Sequence, residues 1–515
     1  MEKKLTYSNL ITKKEVESWK TGSIQFLDGC TGSGKTYFIT YTLAKHLNKN
    51  RKILFLTNRS ALNKDVVGDV EKYGTSDKVT VMNYQKLENL IINRKDVGSY
   101  DFVVCDEAHY FIEDSNFNKT TNLSFDWVME QKNSRIIFMS ATFDGMEQFL
   151  RNENQFAGNE NISKERIGKT YVIPTDYSYV KKLELMYSHE QIEERIYQLL
   201  EDTDDKIIYF ANSTDKAYSL YKELGSDKAH FYCSKNNDFS KYSEEKCVVN
   251  GSFEKRLLIT TVAMDNGVNI TDKNVKHVIS EVLDLNKLQQ CMGRRRVDRN
   301  DENDQVNFYI RLYSGKEVNS YLSDIKKQIN VLKLFTKNYE RFEQEYIIGK
   351  KNVPNVLTQT PCGDNKFTYT VNRIYARKLA MDMLYYNNII GFGDKDKDRK
   401  DIGYANHKRI ILQRFNTINK ENVMDCKLEQ ERERKDALEL YLESIVDKLL
   451  DKEKQLELIE KIDLKDRYGR QQKSVSTLNA YLQEIYNMQL ISKTKLKMVD
   501  GKRKRLTYWE VSYKE

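Results

Sequence analysis

The stretch Gly29-Cys30-Thr31-Gly32-Ser33-Gly34-Lys35-Thr36 decides how the first part of this chain folds. It follows the apolar run Ile24-Gln25-Phe26-Leu27-Asp28 and leads into a helix-like stretch from Thr36 to Leu47. A buried strand, a glycine-rich turn and a helix start, in that order, build a cradle for a triphosphate. The glycines permit the turn's dihedral angles and leave room for phosphate, while successive backbone N–H groups point inward. Lys35 then reaches the β- and γ-phosphates, and the Thr36 hydroxyl is a ligand for Mg²⁺. The bland alternative is a glycine-rich turn that happens to end in Lys-Thr.

Outward from this loop, residues 24–150 alternate between short apolar runs and helical or loop segments. The runs are Ile24–Asp28, Ile53–Thr57, Val79–Asn83, Phe102–Asp106 and Ile136–Ser140. Near-continuous β-branched and aromatic runs of this length predict parallel strands buried on both faces, with functional residues at their carboxyl ends. The fourth run ends in Asp106-Glu107-Ala108-His109. An Asp at that strand end holds the shell of a Mg²⁺ ion, and the Glu after it orients and polarises an attacking water. The alternative is a helix start with acidic residues at its positive end. The fifth run ends in Ser140-Ala141-Thr142, which alone reads equally well as a helix cap.

Together these three motifs resemble those of a superfamily-2 helicase of the DEAD/DEAH-box kind, in a form similar to phage and mobile-element members. The resemblance implies two RecA-like lobes, with ATP and Mg²⁺ as cofactors held by Gly29, Cys30, Thr31, Gly32, Ser33, Gly34, Lys35 and Thr36. It assigns the metal to Thr36 and Asp106, catalysis to Lys35, Asp106 and Glu107, and coupling to His109, Ser140, Ala141 and Thr142. Leu56-Thr57-Asn58-Arg59 resembles the family's Ia segment, where Arg59 is either a phosphate contact or a plain surface arginine. Residues 150–180 turn polar and read as an excursion plus linker, and residues 1–23 carry no legible signal. Gln25 lies within a strand, so the family's adenine-reading glutamine is not assigned to it.

A second α/β pattern follows, with runs at Ile207–Phe210, Ala229–Cys233, Arg256–Thr261, His277–Val282 and Asn307–Tyr313 and no phosphate loop. Thr260–Ile270 resembles motif V, with Thr261 as a nucleic-acid contact and Gly267 as a nucleotide contact; Asn269 stands where many members have Asp. Gln289–Arg296 resembles motif VI, with Gln290, Gly293 and Arg294 matching its Q-x-x-G-R core. The position seven after Gln290 is Val297, so Arg296 is the second candidate finger, as in a Q-x-x-G-R-x-R variant. Guanidinium groups there reach a γ-phosphate that gains charge in the transition state. Arg295 and Arg299 read instead as surface cations that bind nucleic-acid phosphate.

Beyond residue 318 the resemblance ends. A mainly helical region (318–465) includes one long charged helical stretch over 428–462, whose near-heptad apolar positions favour packing on its own domain. The last segment (466–515) reads as an amphipathic helix, Ser474–Met488, then two strands about Asp500-Gly501, a hairpin signal. Helix plus basic hairpin is the outline of a winged helix, with Lys493, Lys495, Lys502, Arg503, Lys504 and Arg505 facing a duplex backbone. A solvated basic tail and a protein-docking wing are the alternatives.

The expected organisation is therefore lobe one at 1–178, lobe two at 179–317, the helical region and the winged helix. At 515 residues with 39% hydrophobic and 31% charged residues, a multidomain soluble protein is expected. No apolar run is long enough to span a membrane, and the first residues lack a secretion-type apolar segment. Seven cysteines without a C-x-x-C pair argue against a zinc site, and the location expected is the cytoplasm. The net charge of +8 is compatible with a nucleic-acid partner. The function expected is an ATP-dependent helicase or translocase, DNA favoured over RNA, in a replication, recombination or defence setting. The alternatives are an RNA helicase, a duplex translocase that does not unwind, and an ATP-gated sequence-specific DNA-binding protein. Oligomeric state is left open.

Overall fold

The computed structural model describes residues 5–513 apart from 31, 59, 141–149, 151–163, 236, 245, 265–267, 362–366, 392–398, 466–469 and 500–501. Its chain divides into two compact units, one ending at Met424 and the other starting at Asp425. Thr31, Arg59, Ala141, Thr142 and Gly267 lie outside the described residues.

The first unit opens on a six-stranded parallel sheet. Its strands are β1 (Ile24–Gly29), β2 (Ile53–Thr57), β3 (Val79–Asn83), β4 (Phe102–Cys105), β5 (Arg135–Ser140) and β6 (Ile167–Ile173). They run in the order β3-β2-β4-β5-β1-β6. The apolar runs are nearly continuous because both faces are covered. Ile24, Phe26, Leu54, Leu56, Val103 and Phe138 pack on one side, and Leu27, Phe55, Val104, Ile137 and Met139 on the other. Side chains alternate across a strand, so successive residues feed two separate cores.

Two parts of this lobe escape its sequence pattern. β6 falls inside the expected linker; it is an edge strand beside β1, and only alternate residues such as Tyr171 and Ile173 turn inward. The N-terminal residues also pack: Tyr7, Ile11, Val16 and Trp19 join the second core. Trp19 Nε1 donates to the Tyr171 hydroxyl at 2.9 Å, tying this segment to β6. Gln25 is structural as well. Its side-chain oxygen accepts from Lys169 N at 2.9 Å, and a Cβ at Gly168 would collide with its amide.

The second lobe is another parallel sheet, built from β7 (Val180–Met186), β8 (Lys206–Phe210), β9 (Ala229–Tyr232), β10 (Leu257–Thr260), β11 (Val275–Ser280) and β12 (Val306–Arg311). After it come an antiparallel ribbon, β13 (Leu357–Pro361) and β14 (Phe367–Val371), and a short strand, β15 (Val423–Asp425). The sheet order is β15-β7-β12-β11-β8-β10-β9. The architecture is thus two tandem RecA-like α/β lobes with helices beyond them, chiefly Gly315–Lys337, Arg373–Ile390 and Arg399–Arg414. No helix among the described residues is long and apolar enough to cross a membrane.

In the second unit, the stretch expected as one long helix is two, Cys426–Ile445 and Lys452–Ile462. Asp447 adopts a left-handed φ of 58°, and the Asp451 carboxylate caps the second helix at Lys454 N. A helix at Val475–Tyr486 and a hairpin of β16 (Met488–Val499) with β17 (Lys502–Tyr513) complete it. Val446 and Leu450, between the first two helices, bridge to Val511 and Trp509 of β17. The unit's order is therefore helix, bridging segment, helix, helix, hairpin. Leu442, Leu458, Leu482, Leu490 and Val511 share its core, which accounts for the near-heptad spacing without a partner helix.

Candidate active site

In lobe one, β1, β4 and β5 deliver their carboxyl ends to one edge. Asp28 lies in register with Ser140, and Cys105 with Phe138. The phosphate loop leaves β1 at Gly29, where any side chain would collide with the Tyr7 hydroxyl. Gly34 has φ +86°, a conformation that L side chains rarely adopt. Ser33 Oγ donates to Cys30 O at 2.7 Å, closing the loop on itself. The Lys35 ammonium is buried inside the curve, donating to the carbonyl of Gly29 and, at 3.2 Å, to that of Cys30. Thr36 lies in the first turn of the helix that starts at Lys35, and Thr40 Oγ1 donates to its carbonyl at 2.9 Å. That helix contains a π-helical segment at Phe38–Leu43.

Asp106 follows β4, with its backbone N–H donating to Leu56 O at 2.9 Å. Burial, with the adjacent Glu107 adding to it, pushes its carboxyl up to about 7, against the pull of Lys35. A divalent cation would restore the ionised form, and with the Thr36 hydroxyl the site offers the hard oxygen donors that Mg²⁺ prefers. Glu107 has φ 48°, left-handed for a residue with a side chain. Such a conformation costs about 1–2 kcal/mol. It is held by hydrogen bonds from Ala108 N to Met139 O and from Tyr110 N to Glu107 O, both 2.8 Å.

His109 joins the two lobes. Its Nε2 lies 3.1 Å from Gln290 Nε2. The amide can only donate there, so the histidine proton sits on Nδ1. Nδ1 is 3.1 Å from Ser140 Oγ and 3.3 Å from Glu107 Oε2. A path of contacts thus runs from lobe two through His109, by hydrogen bonds from Gln290 and to the fifth-strand serine and by proximity to the acidic box.

Gln290 rides on the helix Leu285–Met292, capped by Asp284, whose carboxylate accepts from Asn286 N and Lys287 N at 3.0 and 3.1 Å. After Gly293 the backbone is extended and pairs with Ile270: Ile270 N donates to Arg294 O and Arg296 N to Ile270 O. Side chains in extended backbone alternate. Arg296 accordingly faces the cleft, where burial and the neighbouring Arg294 bring its pKa down to about 10, and Glu107 and Cys30 of lobe one act on it. Arg295 points the other way. Its side chain is buried, donates to the carbonyls of Val275 and Arg296, and pairs with the buried Asp304. The expectation that Arg295 is a surface cation is therefore corrected. Removing Arg295 leaves the buried Asp304 carboxylate only the Asp298 N–H and Lys276 at 3.9 Å, so Arg295→Met is expected to lower unfolding stability by about 3–5 kcal/mol. Denaturant titration reads the loss; an unchanged midpoint contradicts this role.

Asn269 is a residue whose part the sequence does not reveal: its Oδ1 accepts from Arg296 Nε at 2.8 Å, fixing that arginine's direction. Arg294 Nη1 reaches Val268 O at 3.5 Å. Thr261 stands just past the carboxyl end of β10, and Met264 N donates to its carbonyl at 3.2 Å. Arg299 is not a loose surface cation either; it pairs with Asp176 at 2.9 Å and lies over the Tyr179 ring.

In the second unit, Lys493, Lys495, Arg503 and Arg505 are exposed on the hairpin. Lys502 and Lys504 belong to β17, but their side chains lie outside the described set. Lys493 is compensated by Glu510 at 2.5 Å, a cross-strand partner. Trp509 is buried in that unit's core.

Residues 7–145 match the family model for the res subunit of type III restriction enzymes, ResIII. The match spans the phosphate loop, the acidic box and β5, and supports an ATP-hydrolysing helicase-type domain. Comparison with curated proteins gives no match. Among solved structures, the chain is similar to Saccharomyces cerevisiae Dbp5 bound to RNA and ADP BeF3, with 15% identity and a TM-score of 0.40. That alignment covers 56% of this chain and 78% of the other. A single-substitution variant of Dbp5 with the same ligands aligns with a TM-score of 0.39.

Proposed function

We propose that this chain is an ATP-dependent nucleic-acid motor of the superfamily-2 DEAD/DEAH-box kind, with DNA favoured over RNA. The observation that carries it is the path from Gln290 through His109 to Glu107 and Ser140, which links the two walls of one cleft. Lys35 holds the β- and γ-phosphates from lobe one. Thr36 and Asp106 would hold Mg²⁺, which when bound would supply neutralising charge to the phosphate oxygens. Glu107 orients the attacking water, and its strained backbone fixes the carboxylate's direction. Arg294 and Arg296 approach from lobe two and stabilise the charge that grows on the γ-phosphate. Hydrolysis removes what the arginines grip, so the lobes part, and a strand lying across both is held alternately by one and the other. His109 registers that movement because its two nitrogens face different lobes.

The preference for DNA rests on the Asp-Glu-Ala-His form of the box, the Q-x-x-G-R-x-R spacing and the second unit. There, the order helix, bridging segment, helix, helix, hairpin supports the winged-helix reading, in which Lys495, Arg503 and Arg505 on the hairpin suit a phosphate backbone. ATP turnover measured with single-stranded and duplex DNA and RNA tests the reading. Stimulation by DNA above RNA is expected, and turnover indifferent to every polynucleotide would refute it. Strand displacement run beside triplex displacement separates unwinding from movement along an intact duplex.

A further inference from the structure

The helix Arg373–Ile390 touches both lobes. Near its start, Asn372 Nδ2 donates to Ser115 O at 2.8 Å, Arg373 pairs with Asp126, and Ile374 enters the core of lobe one. Near its end, the Tyr385 hydroxyl donates to Leu283 O at 3.0 Å in lobe two, and Ile389 packs with Leu283 and Tyr313. Between these anchors lies one buried cation, Lys378. Its ammonium sits 2.8 Å from Asp382 on the same helix and 3.8 Å from Asp284 of lobe two. Burial alone would lower its pKa, but Glu113 of lobe one, Asp382 and Asp284 hold it charged, well above the ordinary lysine range. Lys287 completes the bridge, 3.3 Å from Glu113.

The placement of these acids is what gives the lysine a consequence. Glu113 ends the helix Tyr110–Glu113, which directly follows the acidic box. Asp284 caps the helix that carries Gln290 and leads to the arginines, and burial would raise its carboxyl were Lys378 and Lys287 not beside it. Without Lys378, Asp284 and Glu113 would keep only Lys287 as a cation beside them, 3.3 Å from Glu113. With it, each lobe is attracted to the same point charge.

We propose that Lys378 is a positioning residue for ATP hydrolysis, one cation that draws the helix behind the acidic box and the helix behind the arginines to a common point. The inference rests on the motor reading for its effect on turnover, but not for its effect on structure. Breaking a buried ion pair at one partner destabilises, whereas replacing both partners by apolar residues is often neutral. The full chain is therefore compared as parent, Lys378→Met, and Lys378→Met combined with Asp382→Leu. The single variant is expected to melt lower and turn over ATP more slowly. The double variant removes the Asp382 charge but leaves Glu113 and Asp284, so it is expected to regain part of the melting temperature while its kcat stays about two- to thirtyfold below the parent, with KM for ATP little changed. Amide exchange over residues 110–113 and 285–292 should be faster in the nucleotide-free double variant. Lys287→Met, which removes the ion-pair partner of the mostly buried Glu113 carboxylate, should change turnover and exchange in the same direction.

Recovery of both melting temperature and turnover in the double variant would make Lys378 purely structural and overturn the proposal. Unchanged amide exchange in both helices would overturn it as well, whether or not the chain hydrolyses ATP. A parent chain without turnover, in which exchange nonetheless accelerates, would refute the motor reading and leave the bridge standing.

Discussion

A Glu107→Gln chain should turn over ATP about a thousandfold more slowly than the parent, the middle of the range for losing a general base. It should still bind ATP, because Lys35 and the loop carbonyls around it are untouched. The amide keeps the shape of the carboxylate and loses its charge, so the nucleophilic water is no longer polarised. One neighbour is also affected: His109 Nδ1 lies 3.3 Å from Glu107 Oε2, but its contact with Ser140 Oγ at 3.1 Å remains. The lobes should therefore still close on bound nucleotide, and the variant should accumulate on nucleic acid in the ATP-bound state. Rapid-quench hydrolysis alongside nucleotide binding by fluorescence checks both halves. Parent-rate hydrolysis would remove Glu107 from catalysis.

Arg294→Ala should lower kcat by about 10³-fold or more, the lower bound of what a transition-state arginine contributes to phosphoryl transfer. Affinity for ATP should change far less, since an arginine that engages developing charge acts on the transition state and not the ground state. Arg296→Ala should fall in the same direction. Asn269→Ala should reproduce part of that loss, because Asn269 Oδ1 directs the Arg296 guanidinium at 2.8 Å. Equal losses in kcat and ATP affinity for Arg294→Ala would mean ordinary phosphate binding.

What the sequence makes legible is local. The phosphate loop announces itself because strand, glycines, Lys35 and Thr36 are contiguous, and the acidic box because it closes an apolar run. The parallel strands of both lobes other than β6 and β7 are visible for the same reason, as near-continuous apolar runs. What stays hidden depends on partners far along the chain. Arg294, Arg295 and Arg296 are chemically identical in sequence, and only pairing of their backbone with Ile270 sends the middle one to Asp304 while Arg296 turns to Asn269 and the acidic box. β6 resembles a linker because an edge strand needs only alternate apolar residues. The N-terminal segment looks featureless because Tyr7, Ile11, Val16 and Trp19 are spread over two short helices. Lys378 is one lysine in a charged chain until the fold sets acids from two lobes around it.

The claim beneath all of this is that one γ-phosphate is reached from both lobes of the same chain. ATP bearing a photoreactive group on its γ-phosphate, irradiated with the full chain and nucleic acid, tests it directly by mass spectrometry of the labelled peptides. Label on the peptide containing Lys35 and also on the peptide containing Arg294 and Arg296 is the predicted result. Label confined to lobe one under every condition that supports turnover would contradict the account.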